Sequence, residues 1–170
     1  AFRVFFRYIL LILITIPNLF LFYFIFTPLT VYPTYFILKI FYNAYLASPK
    51  VIMLENLPIE IIPACVAGAA YYLLFILNLS TPMSLNKRIK SLIFLTLSFL
   101  ILNIIRIVIF SVLALNGFRY FDLAHVFVWY AGSTILVTAI WFVNIYLFKI
   151  KEIPVYSDFK KIIREIYQNK

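Results

Sequence analysis

Hydrophobic positions fill long runs along this chain, separated by short polar and basic stretches. A hydrocarbon layer about 30 Å thick needs about 20 apolar residues at about 1.5 Å each. Four runs reach that length, at 8–26, 62–79, 89–115 and 124–148. Each predicts a transmembrane helix, and together they predict an all-α, polytopic helical bundle. No Gly/Ser/Pro-rich linker divides the 170 residues, so the chain reads as one integral membrane domain.

The stretch 28–47 is aromatic and apolar but holds Pro28, Pro33, Lys39 and Asn43. These residues are costly across a bilayer and suit a helix lying in the interface, which is the expectation for this segment.

Charge supplies the orientation. With four spans, Arg3 and Arg7, the loop of Lys87, Arg88 and Lys90, and the basic tail 149–170 all fall on one side, which the positive-inside rule makes cytoplasmic. Lys39, Lys50 and Arg119 fall outside. A fifth span through 28–47 would split the basic clusters between the two faces. No small-residue cleavage site follows Phe26, so the first run reads as a retained anchor. In the tail, Ser157 or Asp158 can cap a helix whose Phe159, Ile162, Ile163, Ile166 and Tyr167 form an apolar stripe among Lys160, Lys161 and Arg164. Such a helix is expected on anionic lipid of the inner leaflet.

Composition agrees with the pattern: 65% hydrophobic and 12% charged residues describe a chain whose main solvent is lipid. The formal charge of +9 lies between and beyond the spans, so it reads as membrane topology and no nucleic-acid partner is expected. One cysteine cannot close an intrachain disulfide, and one Cys with one His cannot complete a four-ligand zinc site, so neither metal nor cofactor is expected.

Three polar residues then stand out by depth. Arg106 is an ionisable residue inside a span, about ten residues before Gly117 and so about 15 Å from the outer end of its helix. Asn103 lies one turn earlier and Thr96 nearly three, giving a polar stripe that must face protein. Cys65 falls in the first turn of the second span and His125 in the first turn of the fourth, both at the same outer face.

These residue types suit acyl transfer. A thiolate attacks a carbonyl, and a helix start after Pro63 or a nearby cation favours the thiolate. An imidazole moves a proton between nucleophile and leaving amine, with Asp122 one turn earlier available to orient His125. A guanidinium cannot titrate but donates hydrogen bonds to an oxyanion or a substrate carboxylate, and Asn103 can hold it in place. Taken singly, each has a bland reading: buried thiol as packing, Arg106 and Asn103 as interhelical hydrogen bonds, Asp122 as a helix cap, Tyr71 and Tyr72 as packing, Trp129 and Tyr130 as belt aromatics, Glu55 and Glu60 as solvated acids. The sequon Asn78-Leu79-Ser80 falls at the cytoplasmic end of its span, out of reach of glycosylation.

The sequence resembles the exosortase/archaeosortase family of polytopic membrane cysteine transpeptidases, especially its small archaeosortases. The likeness lies in Glu60-Ile61-Ile62-Pro63-Ala64-Cys65-Val66-Ala67-Gly68, in Asn103-Ile104-Ile105-Arg106-Ile107, and in His125 with Gly132 seven residues on, and it covers about 51–141. The family's commoner pattern has glycine two residues after the cysteine, whereas Gly68 stands three after. The resemblance implies Cys65, Arg106 and His125 as the catalytic set and a prokaryotic cytoplasmic membrane with the site facing outward. Its implied partners are secreted proteins ending in a sorting signal, made of a short motif, a transmembrane helix and a basic cluster. Cleavage would pass through a thioester on Cys65, with transfer to a lipid or cell-surface acceptor. Gly68, Ala69 and Ala70 offer small residues on which a substrate helix, or another helix of the bundle, can pack.

Two other classes stay open from sequence alone. One is a noncatalytic small transporter or assembly subunit with Arg106 and Asn103 lining a polar path, although paired Gly/Pro-broken spans are missing. The other is a membrane scaffold, which would tolerate loss of Cys65 and His125.

Overall fold

The apolar run expected to end at Phe26 continues instead as one helix, α1 (Phe20–Phe41), in the computed structural model. The structure describes Ile9 and residues 19–150. The start of the expected first span, with Arg3 and Arg7, and the tail helix expected at 159–167 therefore lie outside the described residues.

Residues 28–41, expected in a separate interfacial helix over 28–47, belong to α1, which is long and apolar enough to cross a membrane. Pro28 and Pro33 both sit inside this helix. Each removes a backbone donor, a loss that membrane helices tolerate when neighbouring groups and helices take up the freed polar atoms. Thr34 Oγ1 donates to Thr30 O at 2.7 Å, and both threonines are fully buried. Lys39 occupies the last turn with its Nζ 5.4 Å from the centre of the Tyr35 ring, and Asn43 lies past the helix. The polar residues that argued against a span thus collect at its end, where a long side chain can reach out of the apolar layer.

Residues 44–47, expected to be helical, open an antiparallel meander: β1 (Ala44–Ser48), β2 (Val51–Leu54) and β3 (Leu57–Glu60), in the order β1-β2-β3. This small sheet corrects the all-α expectation. Its strands are too short to make helices and are bounded by turns at Pro49-Lys50 and Glu55-Asn56. Ile52 and Leu54 point into the core while Val51 and Met53 are half-buried, the period of a strand with one buried face. Glu55 makes the second turn with a φ of 53°. It donates its N–H to Asn43 O at 2.9 Å and accepts the Asn43 N–H on Oε1 at 3.1 Å, pinning the turn to the end of α1.

A single helical turn, α2 (Pro63–Val66), leads into α3 (Gly68–Ser80). A short loop joins α3 to α4 (Leu85–Leu115). The last stretch is α5 (Phe121–Phe127), a π-helical turn (Val128–Gly132) and α6 (Ser133–Phe148), where one uninterrupted helix was expected. Among the described residues four helical stretches, Phe20–Phe41, Pro63–Ser80, Leu85–Leu115 and Phe121–Phe148, are long and apolar enough to cross a membrane. Phe24, Phe36, Phe142 and Tyr146 stand exposed on them. Such a surface would drive association in water and suits lipid.

Long helices consecutive in the chain run antiparallel. Phe26 stacks on Tyr71 at 3.7 Å between centroids, and Phe22 meets Phe75 edge-on at 5.4 Å. Tyr71 in turn meets Phe99 edge-on at 4.8 Å. Lower in the bundle a polar contact joins three helices: Asn78 Nδ2 donates to Ser91 Oγ at 2.6 Å, and Ser91 Oγ donates to Asn144 Oδ1 at 2.8 Å. All three side chains are fully buried, which closes Asn78 to any glycan. Arg88 donates to the carbonyls of Asn78, Leu79 and Thr81 and so caps the end of α3. These pairings put Lys87, Arg88, Lys90 and Lys149 at one end of the bundle. The sheet, α2 and α5 are at the other, with Lys39, Lys50 and Arg119.

Candidate functional site

The second span does not start as one helix. Pro63 opens α2 at its first position, where its missing donor is harmless. The turn ends at Ala67, whose φ of 58° and ψ of 46° are left-handed. The long helix begins only at Gly68, after this left-handed residue, and a Cβ on Gly68 would stand 2.8 Å from Tyr23 Cε1. Cys65 therefore lies in the first turn of the span Pro63–Ser80, as expected, and that turn is set apart from the long helix by Ala67. Its own amide already donates to Ile62 O at 2.9 Å. The surface of Gly68 is covered by Tyr23 of α1, so of the two uses expected for this small residue the structure shows packing within the bundle.

Helix α4 brings two polar side chains to this turn. Asn103, fully buried, donates from Nδ2 to Cys65 O at 2.9 Å. Arg106, one turn on, donates from Nη2 to the same carbonyl at 3.4 Å and from Nη1 to Ser133 Oγ at 2.8 Å. The expectation that Asn103 holds Arg106 is thereby revised: both converge on one backbone oxygen, and the guanidinium is oriented by Ser133. A cation inside an apolar bundle needs such partners, and Arg106 retains further N–H groups beyond the two engaged here.

His125 comes from α5. Its ring lies parallel to Phe121 with centroids 5.6 Å apart and meets Phe110 of α4 edge-on at 5.3 Å. Among the described residues its imidazole nitrogens have no hydrogen-bond partner, and Asp122 does not orient it. Asp122 sits in the first turn of α5, the position of a helix-stabilising acid.

Cys65, Arg106 and His125 line one cavity of about 300 Å³ at the sheet end of the bundle. One wall is the chain from Pro58 to Ile62, and α4 forms the floor with Ile107, Phe110 and Ser111. Val128 and Trp129 of the π-helical turn close the far side. Trp129, read from sequence as a belt aromatic, is exposed and also forms part of this wall. The cavity combines a thiol, a fixed cation and an imidazole in mostly apolar surroundings, the components of nucleophile, charge stabiliser and proton carrier. Among the described residues no three His, Cys, Asp or Glu side chains come together as a metal would require.

Ser133 is the residue that sequence reasoning missed. A buried arginine demands a polar partner on a neighbouring helix, and the Ser, Thr and Asn residues of the last span are few: Ser133, Thr134, Thr138 and Asn144. Thr134 and Thr138 turn their hydroxyls back onto Tyr130 O and Thr134 O, and Asn144 is taken by Ser91. That menu was readable in advance, but the choice within it was not. Compared with known proteins, the chain matches no family model, no curated protein and no solved structure, so the chemistry of the site is argued from its own residues.

Proposed function

We propose that this chain is a membrane-embedded cysteine endopeptidase and transpeptidase that cuts exported proteins at their C-terminal sorting signals. The observation that carries the reading is the convergence of Cys65, Arg106 and His125, from three separate helical elements, on one cavity at the end of the bundle away from the Lys87 loop. The positive-inside rule makes that end the outer one. A scissile peptide next to a substrate's own transmembrane helix would be presented at this depth.

In the first half-reaction the Cys65 thiolate attacks the scissile carbonyl and the carbon becomes tetrahedral. Free N–H groups of Arg106 face the developing oxyanion, or fix a substrate carboxylate. The C–N bond then breaks, and His125 passes the proton taken from the thiol to the leaving amine. This leaves a thioester on Cys65 and releases the apolar helix with its basic end. In the second half-reaction an amine of a lipid or cell-surface acceptor, or water, attacks the thioester. His125 removes the proton of the incoming nucleophile, and the thiol is restored.

The resemblance to the exosortase/archaeosortase pattern supports the same assignment, and one backbone detail adds to it. Ala67, two residues after Cys65, is left-handed, and this is where the commoner family pattern has glycine, the residue that adopts such a φ without strain.

The test is to trap the thioester. The full chain co-expressed with exported proteins carrying an apolar C-terminal helix and basic end should yield a Cys65-linked acyl adduct, read by mass spectrometry and released by hydroxylamine. Cys65→Ala, Arg106→Ala and His125→Ala should each insert normally and stop processing. Unimpaired processing by Cys65→Ala would overturn the proposal.

A further inference from the structure

The wall of the cavity formed by Pro58, Ile59, Glu60, Ile61 and Ile62 is a run of consecutive residues. Side chains of a strand point alternately to its two faces, so a strand that lines a cavity with its face offers every second residue. Pro58, Ile59 and Glu60 of β3 line it in succession, so the strand meets the cavity edge-on.

That edge is unpaired. The sheet order puts β3 at its border, and no further strand pairs with it among the described residues. The register opposes Glu60 to Val51, and Ile61 N donates to Lys50 O at 2.8 Å. In an antiparallel ladder the residues facing the partner strand alternate with those facing away. Ile61 and Ile59 therefore bond toward β2, whereas Glu60 turns both its N–H and its C=O, and Pro58 its C=O, toward the cavity. Pro58 has no donor to offer there, which is how a border strand is kept from pairing indiscriminately.

From these observations we infer that β3 receives an extended polypeptide as an additional strand, with the backbone of Glu60 as the main pairing point and Pro58 O as a further acceptor. The occupant is the extended segment of a substrate protein that precedes its apolar helix. Three features select it: the unpaired donor and acceptors form a strand-pairing edge, the edge lies inside the cavity, and the chain runs directly from Glu60 through α2 to Cys65. Main-chain pairing supplies affinity with little dependence on side chains, and the cavity walls supply what selectivity there is. The destination of the strand rests on the reading of Cys65 as a nucleophile, but the pairing itself does not.

The experiment measures binding of a fluorescent peptide of about ten alternating valine and threonine residues to the full chain in lipid nanodiscs. Glu60→Pro deletes the cavity-facing N–H and leaves the β2–β3 ladder its donors, while Glu60→Gln changes the carboxylate and keeps the N–H. Glu60→Pro should bind about tenfold more weakly than Glu60→Gln. Pro58→Ala, which adds a cavity-facing donor, should bind about threefold or more tightly than the unaltered chain, and it provides the answer if Glu60→Pro does not fold. Binding that is the same in Glu60→Pro and Glu60→Gln overturns the inference. So does binding by Pro58→Ala that equals the unaltered chain, or a probe that does not bind at all. Thioester trapping on the unaltered chain, run beside the binding measurement, separates the two proposals. A pairing edge that responds to these variants in a protein forming no thioester would sink the nucleophile and leave the added strand standing.

Discussion

Arg106 donates through Nη1 to the hydroxyl of Ser133 at 2.8 Å, tying the middle of α4 to the first residue of α6. Its other terminal nitrogen leans on the carbonyl of Cys65 at 3.4 Å. The cation is thus held between the turn carrying the thiol and the helix that follows the π-helical turn, and π-helical turns recur at functional sites.

Ser133 is accordingly a positioning residue. Ser133→Ala should leave the bundle inserted and cost about 1 kcal/mol of stability, the net worth of one hydrogen bond. Processing should fall by about tenfold, carried by kcat with KM little changed, because a misplaced guanidinium is felt only when charge develops on the oxyanion. Ser133→Thr restores the hydroxyl and should recover most of the rate. A Ser133→Ala variant with unaltered kcat would assign the contact to packing alone.

How much of this was legible beforehand depends on which force decided each element. The second and third spans were readable to within a few residues, because burial in lipid demands long apolar runs and nothing competes with that demand. A helix long enough to span was not expected through Pro28 and Pro33, because Pro28, Pro33, Lys39 and Asn43 are costly across a bilayer; packing around Phe22, Phe26 and Thr34 accommodates the prolines, and Lys39 and Asn43 fall at the end of α1 and beyond it. The meander was missed because its strands are short and lie beside a stretch read as helix. Residues 51–54 are all apolar and show no alternation in the sequence, so the signal for β2 rests on the turns at Pro49-Lys50 and Glu55-Asn56. Depth along the spans was enough to group Cys65, Arg106 and His125. The partner of Asn103 was not legible, since a one-turn spacing on α4 does not say which backbone oxygen the neighbouring helix presents.

Gly68 packs against Tyr23 of α1, and its role can be separated from the chemistry. A methyl group added there would stand 2.8 Å from Tyr23 Cε1 and 2.9 Å from Cζ, closer than real contacts allow. Gly68→Ala should destabilise the protein by about 1–3 kcal/mol, the range for overpacking a filled interface. Tyr23→Ala alone opens a gap and should also destabilise. The pair should be better than additive, since the new methyl group occupies space the ring has left. Thermal unfolding of the four proteins in one detergent completes the cycle, and strict additivity would place the strain elsewhere.

Ala67 gives the opposite expectation, because here the natural residue is the strained one. With a φ of 58° it holds a conformation that costs an L-residue about 1–2 kcal/mol and glycine almost nothing. Against that gain, glycine loses more chain entropy on folding, about 0.5–1 kcal/mol. Ala67→Gly should therefore stabilise the protein by up to about 1 kcal/mol, while Ala67→Val, branched at the Cβ that causes the strain, should destabilise it by more than that. The site responds separately. Ala67 ends the turn that presents Cys65, so a glycine that loosens α2 would lower the rate of thioester formation, while one that only relieves strain would leave the rate alone. Rapid-quench measurement of the acyl adduct alongside thermal unfolding distinguishes these outcomes. A destabilised Ala67→Gly would show that the left-handed turn is held by contacts of the alanine methyl group rather than merely tolerated.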